Sequence, residues 1–125
     1  MQASILVFIG AGIGGVMRHF LNLWITALAS SSFPYGILAI NILGSTVMGL
    51  VAGWLALRGE VLPEVRVFLA TGILGGFTTF SAFSLDTALL MERGETFAAA
   101  AYVVGSVALS VLGLFIGLWA MRALA

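Results

Sequence analysis

Thr71 to Thr87 reads TGILGGFTTFSAFSLDT, an unusual set of residue types for a long uncharged run. Paired glycines (Gly75, Gly76) precede adjacent β-branched hydroxyls (Thr78, Thr79), then Phe80, Ser81, Phe83 and Ser84. Hydroxyl donors stabilise an anion, and a phenyl ring carries a positive edge around a negative face. A ring met edge-on touches a small anion without the tight hold of Lys or Arg. Conduction depends on such weak binding at several successive points. On residue types alone, ordinary packing is nevertheless the simpler reading of Phe77, Phe80 and Phe83.

Other polar groups are few. Asn41 sits inside YGILAINILGSTVMG, where a lone amide costs free energy unless both ends are satisfied. Its two N–H donors suit an anion or broken backbone, and a bond between helices serves as well; residue type leaves all three open. Tyr102, Ser106 and Ser110 recur at i, i+4 and i+8, which stacks three hydroxyls on one helix face as a polar track. A single Ser in a membrane helix more often bonds its own backbone at i−4. Arg18 lies within an apolar run and either snorkels near a helix end or draws anions into a vestibule. His19 is the single histidine and reads as interfacial, and Asp86 as a carboxylate at a pore mouth or loop. No Ser–His–Asp grouping, metal triad or nucleotide loop accompanies them, so enzyme chemistry is not expected. With no cysteine there is neither a thiol nucleophile nor a disulfide framework.

The elements that must position these groups are membrane spans. The chain has 125 residues, 62% of them hydrophobic and 8% charged, whereas a soluble domain keeps roughly 25% charged residues. A span needs about 20 apolar residues. Four runs qualify: roughly Ala3 to Leu28, Gly36 to Leu57, Val67 to Leu90 and Thr96 to Met121. Short connectors hold Pro34 and Pro63, as helix boundaries prefer. The whole chain, 1–125, therefore reads as a single four-helix transmembrane domain. The N-terminal run lacks a preceding Lys or Arg, so a signal peptide is not expected. Each span contains a glycine pair at GxxxG spacing (Gly10/Gly14, Gly49/Gly53, Gly72/Gly76, Gly113/Gly117), which predicts close helix–helix packing.

The third span is expected to break near Gly75 to Ser81, where Gly and Thr are poor helix formers. Broken backbone at membrane depth survives only where protein, ions or water meet the freed groups. Orientation normally follows the Lys/Arg bias between the two sides. Here Arg58, Arg66 and Arg122 oppose Arg18 and Arg93, so almost no bias exists. Insertion both ways up, with two opposed copies paired about a twofold axis, fits that balance.

The glycines of GAGIGGVMRHF before Arg18, the Asn41 segment NILGS and above all GGFTTFSAF at 75–83 resemble the fluoride channel family called Fluc or CrcB. The resemblance covers all four spans. It implies an all-α membrane protein with four transmembrane helices per subunit, the third helix broken, assembled as an antiparallel dual-topology homodimer with two pores. It implies a plasma-membrane (bacterial inner-membrane) channel that passively exports toxic fluoride from the cytoplasm. Carried over by position, Phe80, Phe83 and Asn41 are expected to line the pore, with Ser81 in the same motif. Tyr102, Ser106 and Ser110 fall on the family's polar track, and Arg18 on its arginine near the end of the first helix. The backbone carbonyls of Gly75 and Thr78 fall where the family binds a structural Na⁺.

Four positions depart from the family pattern. Ala82 and Ile37 stand where Thr is usual, Asp86 replaces Glu, and His19 takes an aromatic position. None of these removes the phenylalanine pair, Asn41 or the carbonyls, so the departures are expected to bear on conduction rate and not on selectivity. A small drug/proton antiporter is the rival reading, but it needs a carboxylate in the first span, and the first acidic residue here is Glu60 in a connector. A non-transporting membrane scaffold is the other.

Overall fold

A computed structural model describes residues 1–124. Among the described residues, four helical segments are long and apolar enough to cross a membrane: Gln2–Ala29, Tyr35–Arg58, Pro63–Glu92 and Thr96–Leu124. The first two are α1 and α2. The third is composite: α3 (Pro63–Arg66), a π-helical stretch (Val67–Leu74), α4 (Gly75–Phe77) and α5 (Phe80–Glu92). The last is α6 (Thr96–Leu124).

The third segment starts at Pro63, four residues before the expected Val67, which shortens the preceding connector to 59–62. Proline is favoured in the first helical turn, where its missing N–H has no partner to lose. Two glycines take the positive φ that sharp connections need, Gly59 at 67° and Gly94 at 78°.

Glycine pairing decides which helices touch. α1 packs mainly on the π-helical stretch and α4, and α2 runs along α6. A methyl group on Gly14 would strike the Ile73 carbonyl, and one on Gly117 the Thr46 carbonyl. Gly10 and Gly72 meet backbone to backbone, and a methyl on Gly49 would strike the Leu114 carbonyl. Lipid tails are as apolar as leucine, so such close approach, rather than a hydrophobic drive, holds membrane helices together. The buried core sits toward the end of the bundle where α1 joins α2 and α5 joins α6. It contains Ile37, Ile40, Phe77, Phe83, Leu90, Ala99 and Tyr102.

Between α4 and α5 the chain leaves the helix for two residues. Thr78 (φ −82°, ψ 158°) and Thr79 (φ −152°, ψ 124°) are extended. Thr79 also caps α5, its Oγ1 accepting from Ala82 N–H at 3.1 Å. Such a cap satisfies one of the donors that a helix start leaves open.

Candidate functional site

The two extended residues are held from two different helices. From α2, Asn41 Nδ2 donates to the Thr79 carbonyl at 3.0 Å, and Thr79 N–H donates to Asn41 Oδ1 at 2.9 Å. From α1, Arg18 donates to the Thr78 carbonyl at 3.1 Å. Thr78 Oγ1 bonds back to the Leu74 carbonyl at 3.0 Å. Of the three uses open to the Asn41 amide, the one observed is binding of interrupted backbone. One Nδ2 hydrogen remains beyond the Thr79 bond.

A cavity of about 360 Å³ opens beside this junction, between α2, α5 and α6. Asn41, Ser45, Thr78, Thr79, Phe80, Phe83, Ser106 and Ser110 line it, with Met48, Val107, Val111 and Leu114 as its apolar wall. Phe80 and Phe83 stand 5.5 Å apart between ring centroids, tilted at 48°. Phe80 is 78% exposed whereas Phe83 is 9% exposed, so one ring projects outward and the other is part of the core. Phe83 in turn lies 5.1 Å from the Tyr102 ring. Tyr102 is fully buried and directs its hydroxyl to Asp86 Oδ2 at 3.1 Å. Asp86, read from sequence as a carboxylate at a pore mouth or loop, is thus a half-buried acceptor.

The serines of α6 behave differently from four other hydroxyls of the spans. Thr46, Ser84 and Thr87 each bond the carbonyl four residues back, at 2.8, 3.0 and 2.9 Å. Thr78 does the same. Among the described residues, Ser106 Oγ and Ser110 Oγ are the buried side-chain oxygens that meet no protein partner. A buried hydroxyl left unpaired costs about 1–3 kcal/mol. Both residues line the cavity.

A second cavity, about 420 Å³, lies across Thr79 from the first. Arg18, His19, Asn22, Thr79, Ser81 and Ala82 are among its walls, with Gly15, Ile37 and Leu85. Ser81 therefore faces the arginine, although its neighbours Phe80 and Phe83 line the other cavity. Thr79 Oγ1 and Ser81 Oγ lie 3.4 Å apart. Successive helical residues are rotated by about 100°, which divides adjacent positions between opposite walls. Asn22 was not singled out by sequence reading. Its spacing four residues after Arg18, on the same face of α1, was the available signal. Oδ1 of Asn22 sits where a methyl on Gly36 would fall, so that glycine makes room for it.

Gly75 lines neither cavity and is exposed. In a continuous helix its carbonyl would accept from Thr79 N–H, but Asn41 takes that donor. A carbonyl released in this way suits a hard cation, which prefers oxygen donors. The Thr78 carbonyl is a second such donor, already shared with the Arg18 guanidinium. The donor chemistry fits Na⁺, although one chain supplies too few oxygens to complete a shell.

Comparison with known proteins gives one consistent result. The family described as CrcB-like protein, Camphor Resistance (CrcB), matches residues 5–118. A protein of Nitrobacter hamburgensis named fluoride-specific ion channel FluC 2 is 54% identical over 118 residues, covering 94% of this chain and 95% of its own. One of Rhodopseudomonas palustris, named fluoride-specific ion channel FluC, is 55% identical over 120 residues (96% and 97%). A FluC of Methylobacterium nodulans is 53% identical over 122 residues, covering 98% of both chains.

Proposed function

This chain belongs to the CrcB family, and from that premise we propose that it is a fluoride-selective channel of the bacterial inner membrane. Fluoride passes through the cavity bounded by Asn41, Phe80, Phe83, Ser106 and Ser110 and leaves the cytoplasm passively. The observation that carries this reading is the pair of buried, unpartnered hydroxyls on Ser106 and Ser110. Two O–H donors, 4 residues apart on one face, offer a small anion successive weak bonds in place of the backbone bonds their neighbours make. The remaining Asn41 N–H adds a donor at the level of the interruption. Phe80 and Phe83 supply ring edges without a fixed cation in the path. Tyr102, bound to Asp86, is the ring that closes the buried end of the track.

The third span works in this reading as a broken helix. The open N–H groups at the start of α5 present a positive dipole end that favours an anion. The carbonyl end of α4 favours a cation, the arrangement that discontinuous membrane helices use for paired ions. Gly75 and Thr78 would hold Na⁺ through their carbonyls, where the ion would supply positive charge, with a second, oppositely inserted copy offering the same carbonyls. That copy also covers Phe80, Ser81 and Ser84, which one chain alone leaves exposed. The homodimer then carries two pores, each closed laterally by the partner. Arg18 and Asn22 form the approach to it.

The deciding experiment is fluoride efflux from liposomes containing the purified protein. A fluoride flux independent of pH and unaccompanied by chloride is expected, and Phe80→Ile should reduce it at least about tenfold, the loss of one aromatic contact at the barrier. Absence of flux, or flux untouched by Phe80→Ile, overturns the pore assignment. Flux that follows an imposed proton gradient points instead to an antiporter using Asp86. Because the native chain has no cysteine, single cysteines placed in each connector and labelled from either side report orientation directly.

A further inference from the structure

The connector between α1 and α2 is not a passive tether. Ser30 takes a left-handed conformation (φ 47°, ψ 42°) and its N–H closes α1 on the Thr26 carbonyl at 3.1 Å. Ser31 Oγ accepts from Phe33 N–H at 3.2 Å, and Tyr35 N–H donates to the Phe33 carbonyl at 2.8 Å. These local bonds turn the Phe33 ring inward, where it packs against the buried core. It stands edge-to-face with the Tyr102 ring, the centroids 5.6 Å apart and the planes at 87°. From the far loop, 61 residues along the chain, Arg93 donates to the Ser32 carbonyl at 3.2 Å and clamps the connector from outside.

Phe33, Tyr102, Phe83 and Phe80 therefore form a continuous file of four rings, with centroid spacings of 5.6, 5.1 and 5.5 Å. Tyr102 is held at three points: by Phe83 on one side, Phe33 on another, and Asp86 at its hydroxyl. Removing Phe33 deletes the wall against which the tyrosine ring is set. Interiors pack too densely for one ring to shift alone, so Phe83 follows.

We propose that Phe33 is a positioning residue of the pore. Acting from outside the four spans through Tyr102, it fixes the orientation of Phe83, and the Arg93–Ser32 bond keeps it seated. The inference rests on the channel reading above, because Phe83 is taken there as a pore ring. Residue spacing gives no hint of the role: Phe33 lies in a connector, and the Tyr102 ring it meets is 69 residues away.

The test combines flux with a probe of Tyr102 that needs no flux. The chain has two tyrosines, Tyr35 and Tyr102, so 3-fluorotyrosine in a Tyr35→Phe background gives a single protein ¹⁹F resonance from Tyr102. Phe33→Ala should shift and broaden that resonance and lower fluoride efflux about fivefold to tenfold, the factor expected for one lost edge-to-face pair. Phe33→Tyr, which keeps the ring but adds a second labelled tyrosine, is read by flux alone and should restore efflux. In a Tyr102→Leu background Phe33→Ala should add less than about twofold, since coupled residues do not contribute independently. Arg93→Ala leaves the core intact and should shift the Tyr102 resonance in the same direction, with efflux about twofold lower. An unmoved Tyr102 resonance in Phe33→Ala, or an equal loss of flux with and without Tyr102, overturns the proposal. If Phe33→Ala does not fold, an unmoved resonance in Arg93→Ala overturns it. Failure of the channel reading is separable, because it appears as unchanged flux in Phe80→Ile while the Tyr102 resonance still reports on Phe33.

Discussion

Two cavities share Thr79 as a common wall, and they are built from opposite chemistry. The one between α2, α5 and α6 has neutral donors and phenyl rings: Asn41, Ser45, Ser106 and Ser110 facing Phe80 and Phe83. The one against α1 has a full positive charge, Arg18, beside His19, Asn22 and Ser81. A guanidinium concentrates anions but holds them; neutral hydroxyls and ring edges hold them weakly enough to release. On the proposed function, the separation would place attraction at an approach and passage in a different compartment. What divides them is the extended Thr78–Thr79 peptide, its carbonyl accepting from Arg18 and its N–H donating to Asn41 Oδ1.

The comparison breaks most severely at Asn41. Asn41→Ala strips partners from both the N–H and the carbonyl of Thr79, a penalty of about 2–5 kcal/mol for two buried backbone groups. It should abolish efflux and lower the thermal midpoint together, as measured by liposome flux and a detergent melting curve. The serines should behave in the opposite way. Converting Ser106 and Ser110 together to alanine removes hydroxyls with no protein partner, so stability should hold or rise while efflux falls about tenfold. A matching loss of stability would show that these hydroxyls serve the fold.

Arg18→Gln tests the charged compartment. Efflux should fall about twofold to fivefold at low salt, and the deficit should shrink as ionic strength rises toward 1 M, because a steering charge is screened. A deficit independent of salt would assign Arg18 to the Thr78 carbonyl alone. On the proposed assembly, replacing external and internal Na⁺ by a large organic cation should weaken pairing of two copies, as read by chemical crosslinking in membranes. The smallest effect belongs to Tyr102→Phe. It loses one hydrogen bond to Asp86 and keeps the ring, so efflux should change by less than about threefold.

Much of the frame was legible in the residues. Twenty-residue apolar runs delimit the spans because a bilayer accepts little else, and GxxxG pairs mark where backbones touch. The stripe of Tyr102, Ser106 and Ser110 follows from helical spacing. Less legible were the partners of each polar group. Asn41 had three uses open to it by chemistry, and its bonds to Thr79, 38 residues away, select one. Ser81 adjoins Phe80 in the chain yet opens on the arginine side. Tyr102 belongs to the hydroxyl stripe by spacing, but its proton goes to Asp86.

Sequence by itself determined that this is a four-span membrane protein of the CrcB family, with weak helix formers concentrated at 75–81. Those properties are sums over local composition and spacing, and each residue carries its share regardless of distant neighbours. Tertiary structure alone decided which hydroxyls are spent on backbone and which stay free, and that one peptide would divide a charged cavity from a neutral one. It also drew Phe33 from a connector into the file of rings. A hydrogen bond or ring contact needs two groups in register within a few ångströms, and only packing of helices distant in sequence brings them there.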